Sequence, residues 1–242
     1  KAVRLANEQK RLCVLLNDPC NNPTGLCMTN EDWHEVVGIL NQIAKTEVPV
    51  ILIQDIAYID YQEKEADVSR DAFLAYLDLD PAILAVVIFS GSKTFSLYGF
   101  RIGAQIGLSK TKEIVDHFIR VGDYSVRGRF SSVSQPGMSI IGKIFSDKNY
   151  MAQFQGELVE ARQILKDRGG LFVAEAKKQG LAILPYLGGF FISIETQKKN
   201  ICQDLVNEHV FVIPMEGLIR IAVSSLNRKD IPRLVTILKK HI

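Results

Sequence analysis

Three apolar runs constrain this chain most: Leu12–Leu16, Val50–Ile53 and Ala85–Phe89, each stopping at polar residues. An amphipathic pattern covers Asn30–Lys45 between the first two, with Thr29 or Asn30 placed to cap it. Short apolar strands alternating with amphipathic helices predict parallel strands joined by right-handed crossovers. The runs are continuously apolar rather than alternating, which predicts cover on both sheet faces. Arg101–Gly107 reads as a further strand, with Gly103 and Gly107 permitting close approach. Functional groups in such sheets collect just beyond the strand C-termini. Asn22 follows the first run, Asp55 the second and Ser90–Lys93 the third, so three polar motifs are predicted at one sheet edge.

From about Asp147 to Lys178 the pattern is a long helix without proline. Beyond it, Leu181–Leu184, Phe190–Glu195, Val210–Ile213 and Leu218–Val223 read as short strands, interleaved with helices near 197–208 and 228–241. The expected organisation is a large α/β domain over 1–150 and a smaller α+β domain over 151–242. No internal repeat or low-complexity tract interrupts it.

Composition narrows the function classes. With 242 residues the chain can bury a sizeable core, and 29 basic against 27 acidic residues leave no charge excess that argues for nucleic acid or a membrane surface. No apolar run approaches the ~20 residues of a membrane span, and no basic-then-apolar signal segment opens the chain. The four cysteines, Cys13, Cys20, Cys27 and Cys202, form no C-x-x-C pair, and Cys20 and Cys27 lack nearby histidines at metal-ligand spacing. Reduced thiols in a cytoplasmic protein are expected, with no metal.

Four segments carry chemistry. They are Asn-Asn-Pro-Thr-Gly (21–25), Asp-Ile-Ala-Tyr (55–58), Ser-Gly-Ser-Lys-Thr-Phe-Ser-Leu-Tyr-Gly-Phe-Arg-Ile-Gly (90–103) and Leu-Ile-Arg-Ile-Ala (218–222). Pro23 and Gly25 make a sharp turn that aims Asn22. Arg220 lies in an apolar strand, where a charge is costly unless paired. Ser90, Ser92 and Arg101 offer hydroxyls and a planar guanidinium suited to a dianion. Each also has a plain structural reading: a loop lysine for Lys93, a turn-capping aspartate for Asp55, a core tyrosine for Tyr58, a surface carboxylate pairing for Arg101 and a structural ion pair for Arg220.

In this order, the segments resemble the fold type I pyridoxal-phosphate aminotransferases, in their aspartate and aromatic amino acid branch (class I/II), from about residue 12 to the end. The resemblance implies a three-layer α/β/α fold with a mainly parallel sheet, plus a smaller C-terminal α+β domain. It implies pyridoxal 5'-phosphate as cofactor, with Lys93 as the lysine that forms the Schiff base. Ser90, Ser92 and Arg101 would hold the phosphate, Asp55 would face the pyridine nitrogen, and Tyr58 and Asn22 would donate to the ring's phenolic oxygen. Arg220 would clamp the substrate α-carboxylate, beside Asn22. Gly188 and Gly189 resemble a segment where backbone approaches substrate, and equally read as a turn. Arg127, in Arg-Gly-Arg-Phe-Ser (127–131), resembles the dimer-exchanged arginine that reads a distal carboxylate; Arg129 competes for that role, and a solvated loop is the alternative.

The implied reaction is transamination between an amino acid of aspartate or aromatic type and a 2-oxo acid, in a homodimer that binds neither nucleic acid nor membrane. A β-lyase, an aminocyclopropane carboxylate synthase-like enzyme and a non-catalytic aminotransferase-like regulatory domain share these motifs and stay open. Lys1 is not a methionine, and the family's reactive lysine lies well past mid-chain whereas Lys93 falls in the first half. An N-terminal part is therefore expected to be missing.

Overall fold

The computed structural model describes residues 1–62 and 68–242, which fall into two compact units. The first comprises Lys1–Asp18, Met28–Ile59 and Glu65–Phe154; the second comprises Pro19–Cys27, Asp60–Lys64 and Gln155–Ile242.

In the first unit, α1 (Ala2–Gln9) leads into β1 (Leu12–Asn17), followed by α2 (Asn30–Ala44), β2 (Val50–Asp55) and β3 (Ile83–Ser90). A one-turn helix α3 (Gly91–Thr94) then precedes β4 (Gly103–Leu108), α4 (Lys112–Arg129) and α5 (Gln135–Ser146). Thr29 rather than Asn30 caps α2: its hydroxyl accepts from the Asp32 N–H at 3.1 Å while the Asp32 carboxylate accepts from the Thr29 N–H at 2.7 Å. Trp33, Val37, Leu40 and Ala44 follow at helical spacing and are all buried. They pack with Leu52, Ile83, Ala85 and Val87 into one core, where the Trp33 and Tyr76 rings meet edge to face at 6.0 Å.

The sheet runs β1-β2-β3-β4. The first three strands are parallel, in registers that pair Asn17 with Asp55 and Asp55 with Ile88. β4 is antiparallel to β3 because the short excursion 91–102 turns the chain straight back, with no helical crossover. Gly103 is needed there: a Cβ at this position would lie 2.5 Å from the Phe89 carbonyl oxygen. The expectation of cover on both sheet faces fails in part. Leu15 and Ile51, which alternate with the buried residues of β1 and β2, are 62% and 38% exposed. An apolar side chain states what it prefers to contact, not which segment supplies that contact.

In the second unit, α6 (Lys148–Gln179) continues from the first and is followed by β5 (Phe191–Glu195), α7 (Ile201–Asn207), β6 (Ile213–Met215), β7 (Leu218–Ala222) and α8 (Ile231–His241). The antiparallel sheet β5-β7-β6 buries Ile192, Ile194, Ile219 and Ile221 against Phe172, Leu205, Val235 and Leu238 of the helices. Two expected strands do not form. Within 181–187 one ladder-like bond exists, from the Leu184 N–H to the Ser193 carbonyl, and Val210–Val212 precede rather than enter β6. Both stretches are apolar enough for a strand but find no continuous backbone edge. Residues 112–146, read in the sequence only for Arg127, are mostly helical.

Candidate functional site

The sequence places Asp55 and Ser90 as the last residues of adjacent strands β2 and β3, and the structure keeps both there. Ser90 also opens α3, its hydroxyl accepting from the Ser92 N–H at 3.3 Å. The excursion 91–102 is closed by backbone bonds from Gly91 N–H to the Ile102 carbonyl at 3.0 Å and from Leu97 N–H to the Gly91 carbonyl at 3.2 Å. This closure fixes Lys93, Tyr98 and Arg101 in one small cluster. The Lys93 Nζ lies 4.4 Å from the centre of the Tyr98 ring and 5.7 Å from that of Tyr58. The Arg101 guanidinium donates to the Tyr98 carbonyl at 2.8 Å and to the Ser92 hydroxyl at 3.3 Å, and its carbon lies 5.3 Å from the Tyr98 ring centre. Tyr58 and Ser92 are buried, Lys93 is half-buried and Arg101 is exposed.

An ammonium between two phenol rings is held by their π-faces. A guanidinium sharing a hydroxyl with the same turn leaves donors for an anion. The Asp55 carboxylate does cap a turn, accepting from the Ala57 N–H at 3.0 Å through Oδ1; among the described residues no other hydrogen bond reaches it. Turn capping and a role for Oδ2 are therefore compatible. The donor set of Lys93, Ser90, Ser92, Arg101 and Asp55 suits a phosphorylated aromatic aldehyde: an amine for the aldehyde, hydroxyls and guanidinium for the phosphate, a carboxylate for a ring nitrogen.

Asp18, one residue past β1, went unrecognised in the sequence. It is buried, and accepts from the Met28 N–H at 2.7 Å and the Trp33 indole at 2.9 Å. Burial is the largest influence on its carboxyl and raises its pKa, against those two hydrogen bonds that lower it. The bond to Met28 ties together the two ends of the excursion 19–27 that carries Asn22. The one available signal was an aspartate directly after a strand.

In the second unit, Arg220 on β7 donates from Nη1 to the Asn22 Oδ1 at 2.6 Å, and its guanidinium lies 4.2 Å from the Phe191 ring centre. The charge in an apolar strand is thus stacked and hydrogen-bonded rather than stranded. Ser193, fully buried and in register with Arg220, donates to the Pro23 carbonyl at 2.7 Å and seats the turn against the sheet. The Asn22–Pro23 peptide bond is cis. Gly188 and Gly189 make a close approach, but to the protein itself. A Cβ on Gly188 would lie 2.7 Å from the Gln62 Cα, and one on Gly189 would lie 2.6 Å from the Cys20 Cβ.

Arg127 is not part of either cluster of contacts. It is exposed on the last turn of α4, a helix where a loop was the alternative, and makes no hydrogen bond or ion pair among the described residues. Among those residues no helix is long and apolar enough to cross a membrane, and no three metal-ligating side chains gather.

Comparison with known proteins gives these clusters a context. The aromatic-amino-acid aminotransferase of Escherichia coli is 32% identical over 63% of this chain, which spans 36% of that enzyme's length. An aminotransferase structure from Anaerococcus prevotii superposes with a TM-score of 0.93 at 34% identity, covering 98% of this chain and 59% of its own. The aromatic-amino-acid aminotransferase of Burkholderia pseudomallei, solved with pyridoxal phosphate covalently bound, superposes at 0.74 with 25% identity, over 95% of this chain and 56% of its own. The chain thus spans only about a third to three-fifths of these relatives, and its fold is that of their mainly parallel α/β architecture. Residues 2–238 match the profile of aminotransferases of class I and II, and the chain belongs to that family.

Proposed function

We propose that this chain is the lysine-bearing portion of a pyridoxal 5'-phosphate-dependent aminotransferase, which exchanges the amino group of an aspartate-type or aromatic amino acid with a 2-oxo acid. The observation that carries the reading is the Lys93 amine held over the Tyr98 ring, with Arg101 bonded to Ser92 in the same turn. Lys93 would hold the cofactor, with Ser90, Ser92 and Arg101 binding its phosphate. The Asp55 carboxylate would keep the ring nitrogen protonated, and the Tyr58 and Asn22 side chains would donate to the phenolic oxygen. Once bound, the cofactor supplies a sink for the electron pair left when the amino acid loses its α-proton.

The remaining steps belong to the protein. The Lys93 amine would take the proton from the substrate α-carbon as a general base and hold it for return as a general acid. The buried Tyr58 and its neighbours limit water at that amine. Arg220, with Asn22 on its Nη1, would bind the α-carboxylate through a two-pronged contact. Arg127 is assigned the distal carboxylate of a dicarboxylic substrate.

The proposed domain division is a cofactor-binding domain over 1–150 and a small domain over 151–242. The proposed assembly is a cytoplasmic homodimer. Exposed Tyr124, Phe130 and Phe145 are consistent with a partner surface.

The decisive test is borohydride reduction of the cofactor-loaded full-length protein, followed by peptide mass mapping. The cofactor mass should appear on Lys93, and Lys93→Ala should lower turnover by roughly 10²–10⁴-fold or more, for loss of a proton-transfer group that also forms the covalent link. Label on another lysine, or undiminished turnover in Lys93→Ala, refutes the assignment.

A further inference from the structure

Two thiols bracket the segment that carries Asn22. The Cys20 and Cys27 sulfurs lie 3.8 Å apart, and the Cys20 N–H donates to the Cys27 Sγ at 3.3 Å. Inside this pair, the Asn21 N–H donates to the Leu26 carbonyl at 2.8 Å and the Gly25 N–H to the Asn21 carbonyl at 2.7 Å, so the two flanking residues stay side by side. Among the described residues, neither exposed Cys13 nor half-buried Cys202 has a sulfur neighbour.

We propose that Cys20 and Cys27 are a redox modification site that closes to an intramolecular disulfide by exchange with a small-molecule disulfide. The two sulfurs need to approach by about 1.75 Å to reach the ~2.05 Å bond length. Their surroundings order the steps. Cys27 is partly exposed, whereas Cys20 is 1% exposed and wedged against the Gly189 backbone. The Cys27 thiolate therefore attacks the incoming disulfide and expels one thiolate, giving a mixed disulfide. The Cys20 thiolate then attacks the Cys27 sulfur and expels the second. Each cysteine gives up one proton, two electrons pass to the reagent, and two small thiols leave. The bond pulls on both ends of residues 20–27, whose Asn22 holds the Arg220 guanidinium at 2.6 Å. Oxidation thus acts on the carboxylate-binding arginine of the proposed enzyme, although the thiol chemistry does not depend on that reading.

The test is equilibration of the full chain in glutathione–glutathione disulfide buffers, acid quenching, alkylation and mass mapping, in wild type and in a Cys13→Ser background. In the Cys13→Ser background the chain should lose two of its three remaining thiols and two hydrogens in mass, linking Cys20 to Cys27 within one chain. In the same background, Cys20→Ser should stop at a glutathione adduct on Cys27, and Cys27→Ser should keep its remaining thiols. Retention of all thiols in fully oxidising buffer overturns the proposal. So does the same oxidation in Cys27→Ser, or a bond that joins two chains.

Discussion

Gly189→Ala is the substitution whose outcome the structure specifies most closely. Gly189 has φ +79°, in the left-handed region that costs a residue with a Cβ about 1–2 kcal/mol. Its added methyl would meet the Cys20 Cβ at 2.6 Å and the Cys20 carbonyl oxygen at 3.4 Å. The backbone cannot easily step away. Its N–H donates to the Tyr61 carbonyl at 2.8 Å, and its carbonyl accepts from the Tyr186 hydroxyl at 2.8 Å. Cys20 cannot yield freely either, since it is 1% exposed and itself at φ +59°. Overpacking of this kind costs about 1–3 kcal/mol, so the total loss should be about 2–5 kcal/mol. Gly170→Ala serves as the control. It lies within α6 with nothing within 4 Å of where its Cβ would stand, and should gain about 0.5–1 kcal/mol. Urea unfolding followed by far-UV circular dichroism compares the two. Should Gly189→Ala unfold within about 0.5 kcal/mol of wild type, the claim that these glycines exist for close backbone approach is wrong.

Arg220→Lys keeps the charge but loses the planar fork that bonds Asn22 and stacks on Phe191. Loss of a charge-assisted hydrogen bond worth about 1.5–3 kcal/mol should raise KM for the amino acid by about 10- to 100-fold, and an unchanged KM in steady-state kinetics would remove Arg220 from substrate binding. Tyr61 supplies a pH signature. Burial first, and the nearby Asp60 second, push its phenol from 10.0 to about 12. The folded state therefore retains a proton that the unfolded chain has released, so stability falls as pH rises from 10.0 to about 12. Tyr61→Phe should lose less stability than wild type across that window when urea midpoints are compared, and parallel pH profiles would count against the burial argument.

Local chemistry made part of this protein legible before any coordinates. Asp55 and Ser90 stand at strand ends because the apolar runs stop there, and a strand terminus is a one-dimensional event. The turn 90–103 was readable for the same reason: Ser92, Lys93, Tyr98 and Arg101 are close in sequence, so a tight excursion must bring them near one another. The capped, amphipathic α2 and the proline-free α6 follow from spacing alone. Reading failed where a partner decides the outcome. Leu181–Leu184 and Val210–Ile213 carry strand-like residues, yet a strand requires a neighbouring backbone edge that composition does not specify. Arg127 sits in a short motif whose local sequence left a loop open, whereas the structure makes it the end of an 18-residue helix.

What the chain determines unaided is its alternation of apolar strands and amphipathic helices, and the polar residues that terminate each strand, because those depend on neighbours within a few positions. Which distant residues meet was settled only in three dimensions. Arg220 bonds Asn22 across 198 positions, Cys27 reaches Leu187 across 160, and Gly189 closes on Cys20. Those pairings arise when helices and sheet bury their apolar faces together, a global condition that leaves no trace in any short stretch of sequence.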